Sequence, residues 1–123
     1  MSQIVKYGPD DLFMGHGSSL MGYCTTTYDN LVARFGEPNC VPGDKTWNSW
    51  DLCFSVHDDA YPGDSEDFYV SIYDWKESHP DHSRFGEYRW HIGGFHGKDH
   101  RADWMVTDLL EGDDSQYSFV RLA

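Results

Sequence analysis

The stretch Ser49-Trp50-Asp51-Leu52-Cys53-Phe54-Ser55-Val56 alternates between large apolar and small or polar side chains, and that alternation decides the fold. A β-strand turns successive side chains to opposite faces, so Trp50, Leu52, Phe54 and Val56 share one face, with Ser49, Asp51, Cys53 and Ser55 on the other. Two later stretches repeat the pattern. Phe68, Val70 and Ile72 alternate with Tyr69, Ser71 and Tyr73; Tyr88, Trp90 and Ile92 alternate with Arg89 and His91. The even-numbered face holds the aliphatic residues and is assigned to the core. The odd-numbered face then presents Asp51, Cys53, Tyr69, Tyr73, Trp75, Arg89 and His91, an unusual mixture for a surface that meets only water.

Upstream, Tyr28, Leu31, Val32 and Phe35 fall at i, i+3, i+4 and i+7, one stripe of a helix that could cover the even face. A threonine of Thr25-Thr26-Thr27 supplies the cap, Asp29 and Arg34 suit the two ends of the helix dipole, and Gly36 with Pro38 ends the helix. A second helix is expected over Ala102, Met105, Val106 and Leu109, followed by a short edge strand within 116–122. The expected fold is therefore α+β: a single domain, residues 1–123, with an antiparallel sheet of three to five strands and two helices, the first packed on one sheet face. Residues 1–22, interrupted by four glycines, read as an irregular lead-in with at most one short strand. Residues 57–67 read as an acidic hairpin loop turned by Pro62-Gly63.

Composition narrows the function. The 123 residues are 39% hydrophobic and 16% aromatic, enough to support a core despite a net charge of −12. Ten acidic and two basic side chains lie within 41–83. A field of that sign repels phosphate backbones and anionic lipid headgroups, so duplex DNA and membranes are not expected partners; a basic protein surface is. Cys24, Cys40 and Cys53 form an odd set without CxxC spacing, which suits a reducing, intracellular setting. No apolar run has the length of a membrane span.

The motifs Phe35-Gly36-Glu37-Pro38, Ile72-Tyr73-Asp74-Trp75-Lys76 and Trp90-His91-Ile92-Gly93-Gly94, with Gly22, Tyr28, Leu31, Lys45 and Trp50 around them, resemble a family of small phage-encoded proteins of unassigned function. The likeness runs over about residues 18–106. It implies a viral origin and action in the cytoplasm of an infected bacterium, without implying an activity.

Three constellations bear on function. Tyr69, Tyr73 and Trp75 could stack on a ligand or anchor a protein while Arg89 and His91 meet a phosphate or carboxylate, unless another element covers this face as a second core layer. Asp58, Asp59, Asp64, Glu66 and Asp67 could imitate a phosphate track, although a run of acids is more often a solvated surface. His91, His96 and His100 could converge on zinc, but their spacing matches no standard set; His91 with Asp51 could act as an acid–base pair. No catalytic motif or cofactor signature accompanies them, and neither a metal nor a cofactor is expected. The expected function is a non-enzymatic binding protein that antagonises a host factor, for instance a defence component, by stoichiometric occlusion. The alternatives are capture of a small nucleotide-like ligand on the aromatic and basic face, nucleic-acid mimicry, or a His-dependent metal enzyme.

Overall fold

The computed structural model describes residues 3–9, 19–39, 45–58, 61–94, 101–111 and 117–121. Its strands are β1 (Gln3–Pro9), β2 (Ser19–Thr27), β3 (Ser49–Asp58), β4 (Tyr61–Tyr73), β5 (Glu87–Gly94) and β6 (Tyr117–Arg121); its helices are α1 (Tyr28–Phe35) and α2 (Arg101–Glu111). Among the described residues the strands form one six-stranded sheet in the order β2-β5-β4-β3-β1-β6. All pairs are antiparallel except β1 with β6, so the sheet is larger than the expected three to five strands and is mixed.

Side-chain parity follows the alternation. Trp50, Leu52, Phe54, Val70, Ile72, Trp90 and Ile92 are fully buried on the face that receives Leu31 and Phe35 of α1 and Met105, Val106 and Leu109 of α2. Both helices pack on this one face. The two buried indoles meet edge to face at 5.4 Å, and each finds a carbonyl: Trp50 Nε1 donates to Gly36 O at 2.8 Å and Trp90 Nε1 to Thr26 O at 3.2 Å. Large apolar area is thus buried without leaving an indole N–H unsatisfied.

Residues 3–9 and 19–22 correct the expected irregular lead-in. β1 lies inside the sheet between β3 and β6, with Val5 and Tyr7 buried against the core and Tyr7 ringed by Phe35, Phe54 and Phe119. Gly8 sits opposite Cys53 in the ladder and Pro9 ends it, so neither breaks the strand. β2 runs through Thr25 and Thr26 to Thr27, which is the threonine that caps α1, its Oγ1 accepting from Asn30 N at 3.1 Å. Gly36 closes the helix at φ +84° and ψ −170°, a conformation open almost only to glycine, and donates to Val32 O at 2.8 Å.

The expected acidic loop over 57–67 is also corrected. The β3–β4 ladder continues to Asp58 opposite Tyr61, and Pro62-Gly63 lies within β4 instead of at the turn. Between His57, paired with Ser65, and Asp58, paired with Tyr61, the register shifts. A bulge of this kind takes up the extra residues on one strand and is where a proline is tolerated inside a ladder.

Candidate functional site

On the face away from the helices, register brings three strands to one row. Tyr23 of β2 pairs with His91 of β5, and His91 pairs with Tyr73 of β4. The His91 imidazole stacks on Tyr73 (5.4 Å between centroids, 30° between planes), meets Tyr23 edge-on at 4.9 Å and lies 5.8 Å from Trp75. Trp75 in turn meets Tyr73 at 5.9 Å. Four rings therefore form one cluster, with His91 and Tyr73 half-buried in the middle and Tyr23 and Trp75 exposed at 38% and 37% on its flanks.

Cations border both flanks. The Arg89 guanidinium lies 3.8 Å from the Tyr23 ring centre, and Lys45 and Lys76 place Nζ 5.5 and 5.8 Å from that of Trp75. These are cation–π distances. Burial, and then the Arg89 charge, hold the His91 imidazole below its ordinary value of 6.5. Its Nδ1 is buried and has no hydrogen-bond partner among the described residues. Burial, and then Tyr23, raise the Tyr73 phenol above 10.0.

Trp75 lies two positions past the end of β4 and is held in place through the residue before it. The Asp74 carboxylate is wholly buried and accepts from Trp47 N at 2.7 Å, Asn48 N at 3.1 Å, Asn48 Nδ2 at 3.1 Å and Ser83 Oγ at 2.9 Å. It ties the lead into β3, the end of β4 and the short 3-10 turn Pro80–Ser83 into one knot. Beyond it Lys76 adopts φ +55° and donates to Lys45 O at 2.8 Å, while Trp75 N donates to Tyr88 Oη at 3.3 Å. A non-glycine residue in the left-handed region is uncommon and needs such neighbours to hold it.

Of the residues singled out in the sequence, Tyr73, Trp75, Arg89 and His91 come together. Tyr69 shares their face but pairs with Cys53, four positions along β4 from Tyr73 and so roughly 13 Å away. The acids do not make a loop. Glu66 and Asp67 are exposed in β4 and, being adjacent, point to opposite faces; Asp67 accepts from Ser55 Oγ at 2.5 Å. Asp64 belongs to β4 and Asp58 ends β3, while Asp59 lies outside the described residues. Asp67 is six positions from Tyr73, roughly 20 Å along the strand, so the acidic and aromatic ends of the sheet are separate surfaces.

His91 and Asp51 do not meet. β4 runs between their strands, His91 opposite Tyr73 and Asp51 opposite Ser71, whose Oγ donates to Asp51 Oδ1 at 3.1 Å. His96 and His100 lie outside the described residues, among which no three His, Cys, Asp or Glu side chains group as a metal site. Cys24 is buried and Cys53 partly buried; Cys40 lies outside the described residues. No helix among the described residues is long and apolar enough to cross a membrane.

Tyr23 is the member that sequence reasoning missed. The signal was available: Tyr23 and Thr25 alternate with buried Cys24 in β2, but the neighbouring glycine and threonines favour a turn and a helix start. Comparison with protein-family models, curated proteins and solved structures finds no match.

Proposed function

We propose that this protein is a non-enzymatic binding protein that acts by stoichiometric occupation of a host component, with Tyr23, Tyr73, Trp75, His91 and Arg89 as its recognition surface. The observation that carries this reading is the convergence of four rings on the sheet face opposite the helices. One face of the sheet already supplies a core, so a second aromatic cluster that leaves Tyr23 and Trp75 open to water is not needed to hold the fold together. Rigid Tyr and Trp rings beside Arg are the side chains that dominate binding energy at interfaces. The likeness to phage-encoded proteins supports a target in the cytoplasm of an infected bacterium, antagonised by occlusion.

The exposed Glu66 and Asp67 at the far end of β4 suit a basic surface on that target, while the aromatic end, bordered by cations, suits an anionic group. The test is capture from bacterial lysate at low and moderate salt by the wild-type chain and by Trp75→Ala and Arg89→Ala. A component retained by the wild type and released by both variants, whose melting temperatures match the wild type, is the expected result. Equal capture by all three chains, or capture of nothing, would overturn the assignment.

A further inference from the structure

Resting on that surface, we infer that the group captured at the aromatic end is a nucleotide: a planar base stacked against the exposed rings, with its phosphate held by Arg89, Lys45 and Lys76. Charge is the first argument. The chain carries 21 acidic and 9 basic side chains, so three cations gathered at one place run against the sign of the overall field. Arg84, for comparison, lies 4.0 Å from Asp81, and Arg121 donates to Ala33 O at 3.3 Å. Arg89, Lys45 and Lys76, like Lys6, Arg34 and Arg121, have no carboxylate partner among the described residues; what sets these three apart is that all stand over the rings of this one cluster. The acids near the cluster are Glu87, two positions from Arg89 on the same face and opposite Thr27, and Glu77, next to Lys76 in the chain, whose Oε1 accepts from Tyr88 Oη at 3.1 Å. Like charges gathered around an exposed aromatic surface repel each other and are relieved by an anion.

Geometry is the second argument. The rings span three adjacent strands, roughly 10 Å between the outer two, which is room for a purine-sized ring system. The Arg89 guanidinium carbon lies 3.8 Å from the Tyr23 ring centre, which sets its N–H donors at the edge of the ring cluster where phosphate oxygens could meet them; a base can stack on an aromatic ring or on a guanidinium plane. The two lysines reach the other flank from Lys45 and Lys76, whose backbones are joined by a hydrogen bond. An acidic peptide without aromatic side chains would satisfy the cations but supply no aromatic face to the rings between them. A nucleotide supplies both, and stacking of one base on one aromatic residue is worth about 1–3 kcal/mol.

The experiment uses the full chain with ATP, GTP and the linear dinucleotide pApA as probes, tripolyphosphate as a charge-only control and adenosine as a ring-only control. The readouts are quenching of tryptophan fluorescence and the rise in melting temperature. We expect saturable quenching and stabilisation by at least one nucleotide, weakened at least tenfold by Trp75→Ala and by Arg89→Ala and diminished by salt, with both controls at least tenfold weaker. Tripolyphosphate binding as tightly as the nucleotides would overturn the inference, because the rings would then contribute nothing. No response to any nucleotide at millimolar concentration would also overturn it. If lysate capture still depends on Trp75 in that case, the surface stands and only the ligand class is wrong; if it does not, both fail.

Discussion

Replacing Asp74 tests how the aromatic end is held. Its carboxylate has no solvent exposure and accepts from the backbone N–H groups of Trp47 and Asn48, from the Asn48 side chain and from Ser83. Asp74→Ala strips the acceptor from a buried backbone donor (Asn48), a part-buried one (Trp47) and a buried amide, each costing up to about 1–3 kcal/mol when left unmade; water entering the space recovers part. The expected loss is about 3–5 kcal/mol, a large share of the ~5–15 kcal/mol that holds a domain folded. Asp74→Asn keeps the shape but turns an N–H toward donors, so about 2–3 kcal/mol is expected. Ser83→Ala removes one hydroxyl and should cost about 1 kcal/mol, readable even if the first variant is largely unfolded. Urea titration followed by tryptophan fluorescence measures all three, with the slope unchanged. A loss below about 1 kcal/mol for Asp74→Ala would refute the reasoning.

Other consequences follow at single positions. His91 takes up its proton less readily folded than unfolded, so stability it contributes is intact above its ordinary value of 6.5 and is lost as pH falls below that value toward its lowered folded one. His91→Phe should therefore show a smaller fall in melting temperature between pH 8 and pH 5 than the wild type; parallel curves would contradict this. Gly36→Ala forces an alanine into φ +84° and sets its Cβ 3.2 Å from the Arg121 guanidinium, which can swing aside while the backbone cannot. The expected cost by thermal or urea unfolding is about 1–3 kcal/mol, unrelieved by Arg121→Ala in the same chain. Thr27→Ala removes the acceptor for Asn30 N and should cost about 1 kcal/mol, with Thr27→Ser nearly neutral.

Much of the helix-facing layer is legible in the sequence because one constraint sets it. A strand buried on one face alternates, and Trp50 to Val56, Phe68 to Ile72 and Tyr88 to Ile92 all do. α1 is equally legible in the stripe Tyr28, Leu31, Val32 and Phe35, with Asp29 and Arg34 in its first and last turns. β6, Tyr117–Arg121, stands at the sheet edge as the short strand expected within 116–122, whereas β1 and β2 are not legible, for local reasons. Val5 and Tyr7 alternate over only a few residues before Gly8 and Pro9, and the pairing of β1 with β3 and β6 that makes it a strand is wholly long-range. Thr25 to Thr27 favour a helix cap as readily as a strand, and the structure uses them as both. Pro62-Gly63 favours a turn, but a bulge lets the ladder pass through it. The site shows the same division. Tyr73, Trp75, Arg89 and His91 are found by parity alone, whereas Tyr23 enters through the pairing of β2 with β5, and the Asp74 knot through partners up to 27 positions away.

The central claim is that recognition occurs on the odd-numbered face at the end marked by Tyr23 and Trp75. Hydroxyl-radical footprinting of the free chain and of the chain with its captured component tests it most directly, because each exposed aromatic side chain reports its own accessibility. Protection of Tyr23 and Trp75, with Phe85 at 77% exposure left unchanged, is the predicted result. Protection of Phe85 while Tyr23 and Trp75 stay as reactive as in the free chain would place the partner elsewhere and contradict the account.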